Sequence, residues 1–450
     1  MLARRRHRGP VAPLAAALVL IAVTACASPT STGAPSPSPS TASTAPGAVP
    51  SRANSEPPLS RPSATPPVPG LSWVKATDVQ RPDEAFAEPS AAATGPSGPG
   101  TAGHPGHFPG QAIVDDVVQA AHGLVAVGYV GIDGVWTAIA WRSTDGEHWA
   151  LEPIDAAPGS FAVAITAGRG GLEHDAYAAG RSGREPVVWA DAGDGHWTPT
   201  HLPALGGGAV PERVVAITAT DGGLLAGGSA GPELGDRRAR FWRSRDGAQW
   251  EALPDDDAFA GAEVVAIEPL DGGGYVAAGR LGTGQRGTGS VALVSDDGVT
   301  WRRIDDPSLA TGLVNGFATA ADGSIVAVGS DLDEREALVW RSTDGGATWE
   351  AAPREASRLY EPYKIRMTDV VATPGGLVAV GNYVGLQYGT ATSWVATDWT
   401  HWTRAPNYPA LGQGEMLAVT RGGPGLVATG SFGAPDNYIP TIWLGEAPGG

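Results

Sequence analysis

The chain repeats itself at a spacing near fifty residues, and its tryptophans mark the repeat. Trp73, Trp149, Trp197, Trp250, Trp301, Trp349 and Trp402 follow a short polar or glycine-containing turn or stand in an equivalent segment. Trp141, Trp189, Trp242, Trp340, Trp394 and Trp443 lie eight or nine residues before such a position, or at the matching place near the C-terminus. Only Trp136 and Trp399 stand outside the scheme. A unit that recurs seven times at this length buries its apolar faces by stacking on copies of itself. This predicts an all-β fold, a seven-bladed β-propeller with four-stranded blades.

Each unit can be traced strand by strand. It opens with an apolar run, as in Ile113 to Val118, Phe161 to Thr166 and Val214 to Thr218. A second run ends on Gly128, Gly180, Gly228, Gly279, Gly329, Gly381 or Gly430, spaced 48 to 52 residues apart. Turns such as Asp221-Gly222-Gly223 and Asp322-Gly323 fit hairpins that require positive φ. The third strand carries the first tryptophan of the pair and the fourth starts at the second. In the seventh unit no fourth strand follows Trp443, whereas Leu71-Ser72-Trp73-Val74-Lys75 belongs to no preceding unit. Residues 71–78 are therefore expected to close the last blade, which removes exposed sheet edges, and residues 81–110 to form a long connection to the first blade.

The N-terminal end predicts where such a domain works. Arg4, Arg5, Arg6 and Arg8 precede an apolar run from Val11 to Val23, too short to cross a bilayer and shaped as an export signal. Val23-Thr24-Ala25-Cys26 resembles the lipobox of a bacterial lipoprotein. The resemblance implies that residues 1–25 are a signal peptide, and that Cys26 is lipidated and anchors the chain to the extracytoplasmic face of the bacterial cell membrane. Cys26 is the only cysteine, so no intrachain disulfide supports the fold. Residues 26–70 are rich in Pro, Ser and Thr and poor in large apolar groups, and read as a disordered tether before the propeller of residues 71–450. The formal charge is −17, and without the four signal arginines about −21, which argues against nucleic acid as a partner.

The turns between third and fourth strands carry a motif. Ser342-Thr343-Asp344-Gly345-Gly346-Ala347-Thr348-Trp349 resembles the Asp-box, or BNR repeat, in full. Ser143, Asp145 and Trp149 keep most of it, as do Ser244, Asp246 and Trp250; Asp296, Gly298, Thr300 and Trp301 keep its second half. Over roughly residues 110 to 445 the chain thus looks like the sialidase-like and sortilin-like superfamily of propellers. A structural role for these residues follows from their chemistry: the aspartate accepts N–H groups within its own turn, glycine admits left-handed backbone, and tryptophan pins the turn to the blade.

Fold alone does not confer hydrolysis. A sialidase-like site implies an arginine triad, a tyrosine nucleophile with a glutamate partner and an aspartate acid/base, yet the Arg-Ile/Leu-Pro sequence usual for its first arginine is absent. The reading is a noncatalytic extracytoplasmic recognition or scaffold lipoprotein that binds an envelope protein, peptide or glycan. The alternative is a sialidase-like glycoside hydrolase acting on exported or cell-surface glycans. On the propeller, the loops after the second strands and those entering the next blade gather at one end of the channel. They offer Tyr129, Trp136, Arg181, Arg280, Asn315, Tyr360, Tyr363, Asn382, Tyr383, Tyr388, Asn437 and Tyr438 as candidate ligand-binding residues. Surface salt bridges are an equally natural role for Arg181, which lies beside Glu185, and for Arg280. The nine histidines are scattered and no nucleotide-binding fingerprint occurs, so neither metal nor cofactor is expected.

Overall fold

The computed structural model describes residues 71–81 and 111–446, apart from residues 133, 156, 205–209, 233–236, 283–286, 354–363, 385–388, 407–408 and 434–437. Cys26 and the segments expected to be signal and tether therefore lie outside the described residues, as does most of the expected 81–110 connection. Seven antiparallel sheets follow one another, six from consecutive strands within residues 111–155, 161–201, 212–252, 262–304, 312–351 and 364–404. The seventh combines Gly414–Gly422, Gly425–Phe432 and Ile439–Gly445 with Trp73–Lys75. Trp73 pairs with Gly445 and Lys75 with Trp443, so the ring closes through its N-terminal segment. No helix among the described residues is long and apolar enough to cross a membrane.

The segment does more than close one blade. Asp78–Val79 lies parallel to His148 and Trp149 and makes the first blade five-stranded. Gln80 extends this grip: its N–H donates to Trp149 O, its side chain accepts from Leu151 N, and its carbonyl accepts from Trp141 Nε1. Ten residues thus join the last blade to the first, an arrangement the four-stranded expectation for every blade did not contain.

A single irregularity, repeated seven times, explains the glycine period. One residue of each first strand bulges out of register: Asp115, Val163, Val215, Val265, Asn315, Thr368 and Leu417. The second-strand glycine pairs with the residue just before the bulge, as Gly128 does with Val114. The bulge turns a carbonyl toward that glycine, so a Cβ on Gly128, Gly180, Gly228, Gly329, Gly381 or Gly430 would lie 1.8 to 2.1 Å from it. These glycines are steric requirements of the innermost ladder, where bulges bend strands around the axis. Gly279 is the exception, since a Cβ there first meets the Val291 side chain at 2.9 Å.

The tryptophans fill the outer wedge. Trp141, Trp189, Trp242, Trp340, Trp394 and Trp443 are fully buried between blades. Three of them also hold the loop that leads into their own blade: Trp242, Trp340 and Trp443 donate to the carbonyls of Pro203, Ser308 and Ala410. In the fourth blade Leu293 takes the place of this tryptophan, and Phe241 from the neighbouring blade stacks on Trp301 at 4.0 Å to occupy the space.

Serine and aspartate side chains organise the outer turns. Ser143 Oγ accepts Gly146 N, Asp145 Oδ1 accepts the N–H groups of Glu147 and His148, and Trp149 Nε1 donates to Gly146 O. The same bonds recur at Ser244 and Asp246 and, with one extra residue in the turn, at Ser342 and Asp344. In the fourth blade the carboxylate is that of Asp297, with Ser295 supplying the hydroxyl, and not that of Asp296. Strand pairing places Ser295 opposite Tyr275, the site equivalent to Ser143 opposite Leu124, and this fixes the register one residue beyond the expected aspartate.

Candidate functional site

The rung just above each recurrent glycine carries the chemistry. Its seven residue pairs are Ile113 with Tyr129, Phe161 with Arg181, Arg213 with Ser229, Glu263 with Arg280, Leu313 with Ser330, Arg366 with Asn382, and Glu415 with Ser431. One lattice position thus hosts aromatic, cationic, anionic and apolar side chains around a single channel mouth.

Blades one and two supply an aromatic sector. Tyr129 meets Trp136 edge-on at 5.4 Å and Phe161 at 4.8 Å, and Trp136 stacks on Phe161 at 6.1 Å. The Arg181 guanidinium lies over the Phe161 ring at 4.4 Å, a favourable seat for a cation on a π face. Arg181 and Arg184 are exposed, and neither has a carboxylate partner among the described residues. Glu185, the neighbour expected to pair with Arg181, instead faces His201 at 2.9 Å. Tyr129, Phe161, Arg181 and Arg184, together with Asp115, Arg213 and the start of the third blade, bound a cavity of 530 Å³.

Blades three to seven form a sector whose charges satisfy one another. Arg366 donates to Asn382 Oδ1 at 2.9 Å and to Glu415 at 3.1 Å. Glu263 is met by Arg213 at 3.7 Å and, more closely, by Arg237. Arg280 Nη2 donates to Asn315 Oδ1 at 2.8 Å, and Asn315 Nδ2 donates in turn to Met367 O, which ties the fourth, fifth and sixth blades together. Burial lowers the Arg280 pKa, and its Nε has no hydrogen-bond partner among the described residues. Glu334, the one non-glycine residue with positive φ among those described, contacts Lys364 at 2.9 Å and Arg366 at 4.0 Å. A left-handed glutamate beside a charged cluster is stored backbone strain, of the kind that gathers at ligand sites.

Below the rung the channel wall is acidic. Asp116 Oδ2 accepts Ile165 N of the second blade at 2.8 Å, and Asp369 Oδ2 accepts Val419 N of the seventh at 2.9 Å. Glu268 accepts the N–H and hydroxyl of Thr319 in the fifth blade. These carboxyls strap neighbouring blades at the axis. Burial raises their pKa values, to about 7 for Asp116 and Glu268 and about 6 for Asp369. Asp115, on the bulge, is pushed well up by burial and by Asp116 and Glu415, and its Oδ2 has no partner among the described residues. Burial, with Asp115 and Glu415 adding to it, also drives the Tyr129 phenol upward.

The expected ligand residues divide accordingly. Tyr129, Trp136 and Arg181 come together in the first sector, and Arg280, Asn315 and Asn382 in the second. Tyr438 stands near enough to Tyr129 to act on its phenol. Tyr383 lies against Arg404 of its own blade, at 5.4 Å. Tyr360, Tyr363, Tyr388 and Asn437 lie outside the described residues. Sequence reasoning missed Phe161, Asp115, Asp116, Glu268, Glu334, Asp369 and Glu415. Most sit inside first strands that read as apolar runs, and aligning the repeats on their glycines would have exposed the rung.

No protein-family model matches the chain, and neither does any curated protein. Solved structures do resemble it. A protein of unknown function from Dyadobacter fermentans aligns at 15% identity and TM-score 0.50 over 84% of this chain and 100% of its own. A Lactobacillus plantarum protein aligns at 15% and 0.47 over 68% of this chain and 86% of its own. Trypanosoma rangeli sialidase aligns at 14% and 0.43 over 66% of this chain and 56% of its own. At these identities the likeness is one of fold alone.

Proposed function

We propose that the chain is a noncatalytic recognition module, anchored outside the cytoplasmic membrane through lipidated Cys26, that binds an envelope protein, peptide or glycan. Its binding surface is the aromatic sector of the channel mouth. One observation carries this reading: Arg181 and Arg184 stand unpaired beside the Tyr129, Trp136 and Phe161 rings, while the arginines opposite are already engaged by Glu263, Asn315 and Glu415. Rigid aromatic faces with one or two free cations supply contact area and orientation at little entropic cost. The Asp-box turns, on the opposite face, hold the blades together.

Tyr129 beside Asp115 and Glu415 has the residue types of a sialidase-like nucleophile and its carboxylates. A phenol that attacks carbon needs its proton made easier to remove, whereas burial and adjacent carboxylates here make it harder. The test uses the full chain on arrays of peptides and glycans, followed by titration of each binder against two variants. Tyr129→Ala combined with Arg181→Ala is expected to weaken binding about tenfold or more, roughly 1.4 kcal/mol, and Arg366→Ala to leave it nearly unchanged. Turnover of a fluorogenic sialoside that disappears in Tyr129→Phe would establish the hydrolase instead.

A further inference from the structure

Trp399 stands where four sister turns carry glycine. Those glycines, Gly146, Gly247, Gly298 and Gly346, all have φ between 69° and 88°, and in three of the turns the next tryptophan donates its indole N–H to the carbonyl of Gly146, Gly247 or Gly346. Trp402 donates in the same way to Trp399 O at 3.0 Å. The sister glycines leave no room for a side chain: a Cβ on Gly247 would come 2.3 Å from Tyr177, on Gly298 2.9 Å from Tyr275, and on Gly346 2.9 Å from Val294. Between the fifth and sixth blades the packing is opened instead, and an indole stands in the gap.

The result is a cleft of 550 Å³ on the face opposite the channel mouth, lined by Asp322, Ser324, Arg341, Thr373, Asp398 and Trp399. Arg341 Nη2 donates to Asp322 Oδ2 at 2.6 Å, and its guanidinium lies 5.8 Å from the Trp399 ring centre. Its Nε is buried and has no hydrogen-bond partner among the described residues. Asp398 is held ionised, chiefly by Thr400 and also by the His401 N–H and ring, and Asp322 by Ser324 and then Arg341.

We propose that this cleft binds a neutral saccharide, independently of whatever occupies the channel mouth. Each other ligand class meets an obstacle. An anion would face Asp322 and Asp398, a second cation would compete with Arg341 for the indole, and an apolar side chain would cover the Asp322 and Asp398 carboxylates without pairing them. A pyranose resolves all three: its apolar C–H face lies on the aromatic plane, and its hydroxyls donate to the carboxylates.

Saturation-transfer NMR on the full chain tests this with maltotriose, mannotriose and N-acetylchitotriose as neutral probes and trigalacturonic acid as the acidic one. Transfer to at least one neutral trisaccharide is expected. Trp399→Gly, which installs the residue of the sister turns, abolishes it, Trp399→Phe retains it, and Arg341→Gln weakens it. Tyr129→Ala, at the other face, leaves it unchanged. The proposal is overturned by no transfer to any neutral probe, by transfer confined to trigalacturonate, by equal transfer in wild type and Trp399→Gly, or by loss in Tyr129→Ala.

Discussion

Two sectors of one channel mouth occupy the same rung of the same lattice and differ in what they leave open. In blades one and two the rung carries Tyr129, Phe161 and Arg181, packed as rings with a guanidinium stacked on top. In blades four, six and seven it carries Glu263, Arg280, Arg366, Asn382 and Glu415, bound to partners within the sector. The bulge and glycine beneath are common to both. A repeating backbone fixes where side chains point, and each blade remains free to choose what they are.

If the lattice is shared, breaking it must cost the same on both sides. Gly180→Ala under the aromatic sector and Gly381→Ala under the charged one each drive a Cβ into a backbone carbonyl, at 1.8 and 2.1 Å. Each is expected to lower unfolding free energy by about 3 to 5 kcal/mol in denaturant titration. Gly279→Ala, which meets only a side chain at 2.9 Å, should cost about 1 to 2 kcal/mol. Unequal losses at Gly180 and Gly381 would mean that the sectors do not stand on one scaffold.

The acidic wall underneath sharpens the comparison through pH. Asp116, under the aromatic sector, and Asp369, under the charged one, keep their protons in the folded state up to about pH 7 and about pH 6, against an ordinary value of 3.8. An unfolded chain releases those protons earlier. Their contribution to stability is therefore full below the unfolded value, near pH 4, and is lost as pH rises toward 6 or 7. Thermal unfolding should show stability falling across this window by on the order of 4 kcal/mol through Asp116 and about 3 kcal/mol through Asp369, and Asp116→Asn or Asp369→Asn should flatten its share of the slope.

Smaller effects separate the sectors directly. Phe161→Ala removes the surface on which Arg181 and Tyr129 rest and should cost about 1 to 2 kcal/mol. Glu415→Gln, at a partly exposed ion pair, should cost about 1 kcal/mol or less, with the loss reduced further at high salt. Denaturant titrations at low and high salt check both.

The parts of this molecule that repeat were legible in its sequence. Tryptophan pairs and glycine spacing foretold seven blades, and an orphaned Leu71 to Lys75 foretold the closing strand, because each reports a steric demand made seven times over. What occurs once was not legible. Asp78–Val79 adds a strand of two residues, too short for any alternation to show. Ser295 and Asp297 were hidden by the neighbouring Asp296, which offers the same side chain one register earlier. Asp115 and Asp116 sit in a strand whose apolar neighbours disguised them, and only the bulge turns both toward the channel region. Tyr129, Arg181, Arg280 and Asn382 could be named because each directly follows a lattice glycine, whereas Phe161 and Glu263 lie across the ladder from Arg181 and Arg280, and Glu415 lies across from Ser431.

The contrast between an open sector and a self-satisfied one can be read without knowing any ligand. Modification of the full chain with phenylglyoxal, followed residue by residue by mass spectrometry, reports which guanidinium groups are available. Arg181 and Arg184 should react at least about tenfold faster than Arg213, Arg280 and Arg366, the ratio expected when an ion pair or buried hydrogen bond worth roughly 1.4 kcal/mol must first be broken. Equal rates at all five would mean that the mouth presents one converging arginine cluster, and the division on which the binding surface was placed would be wrong.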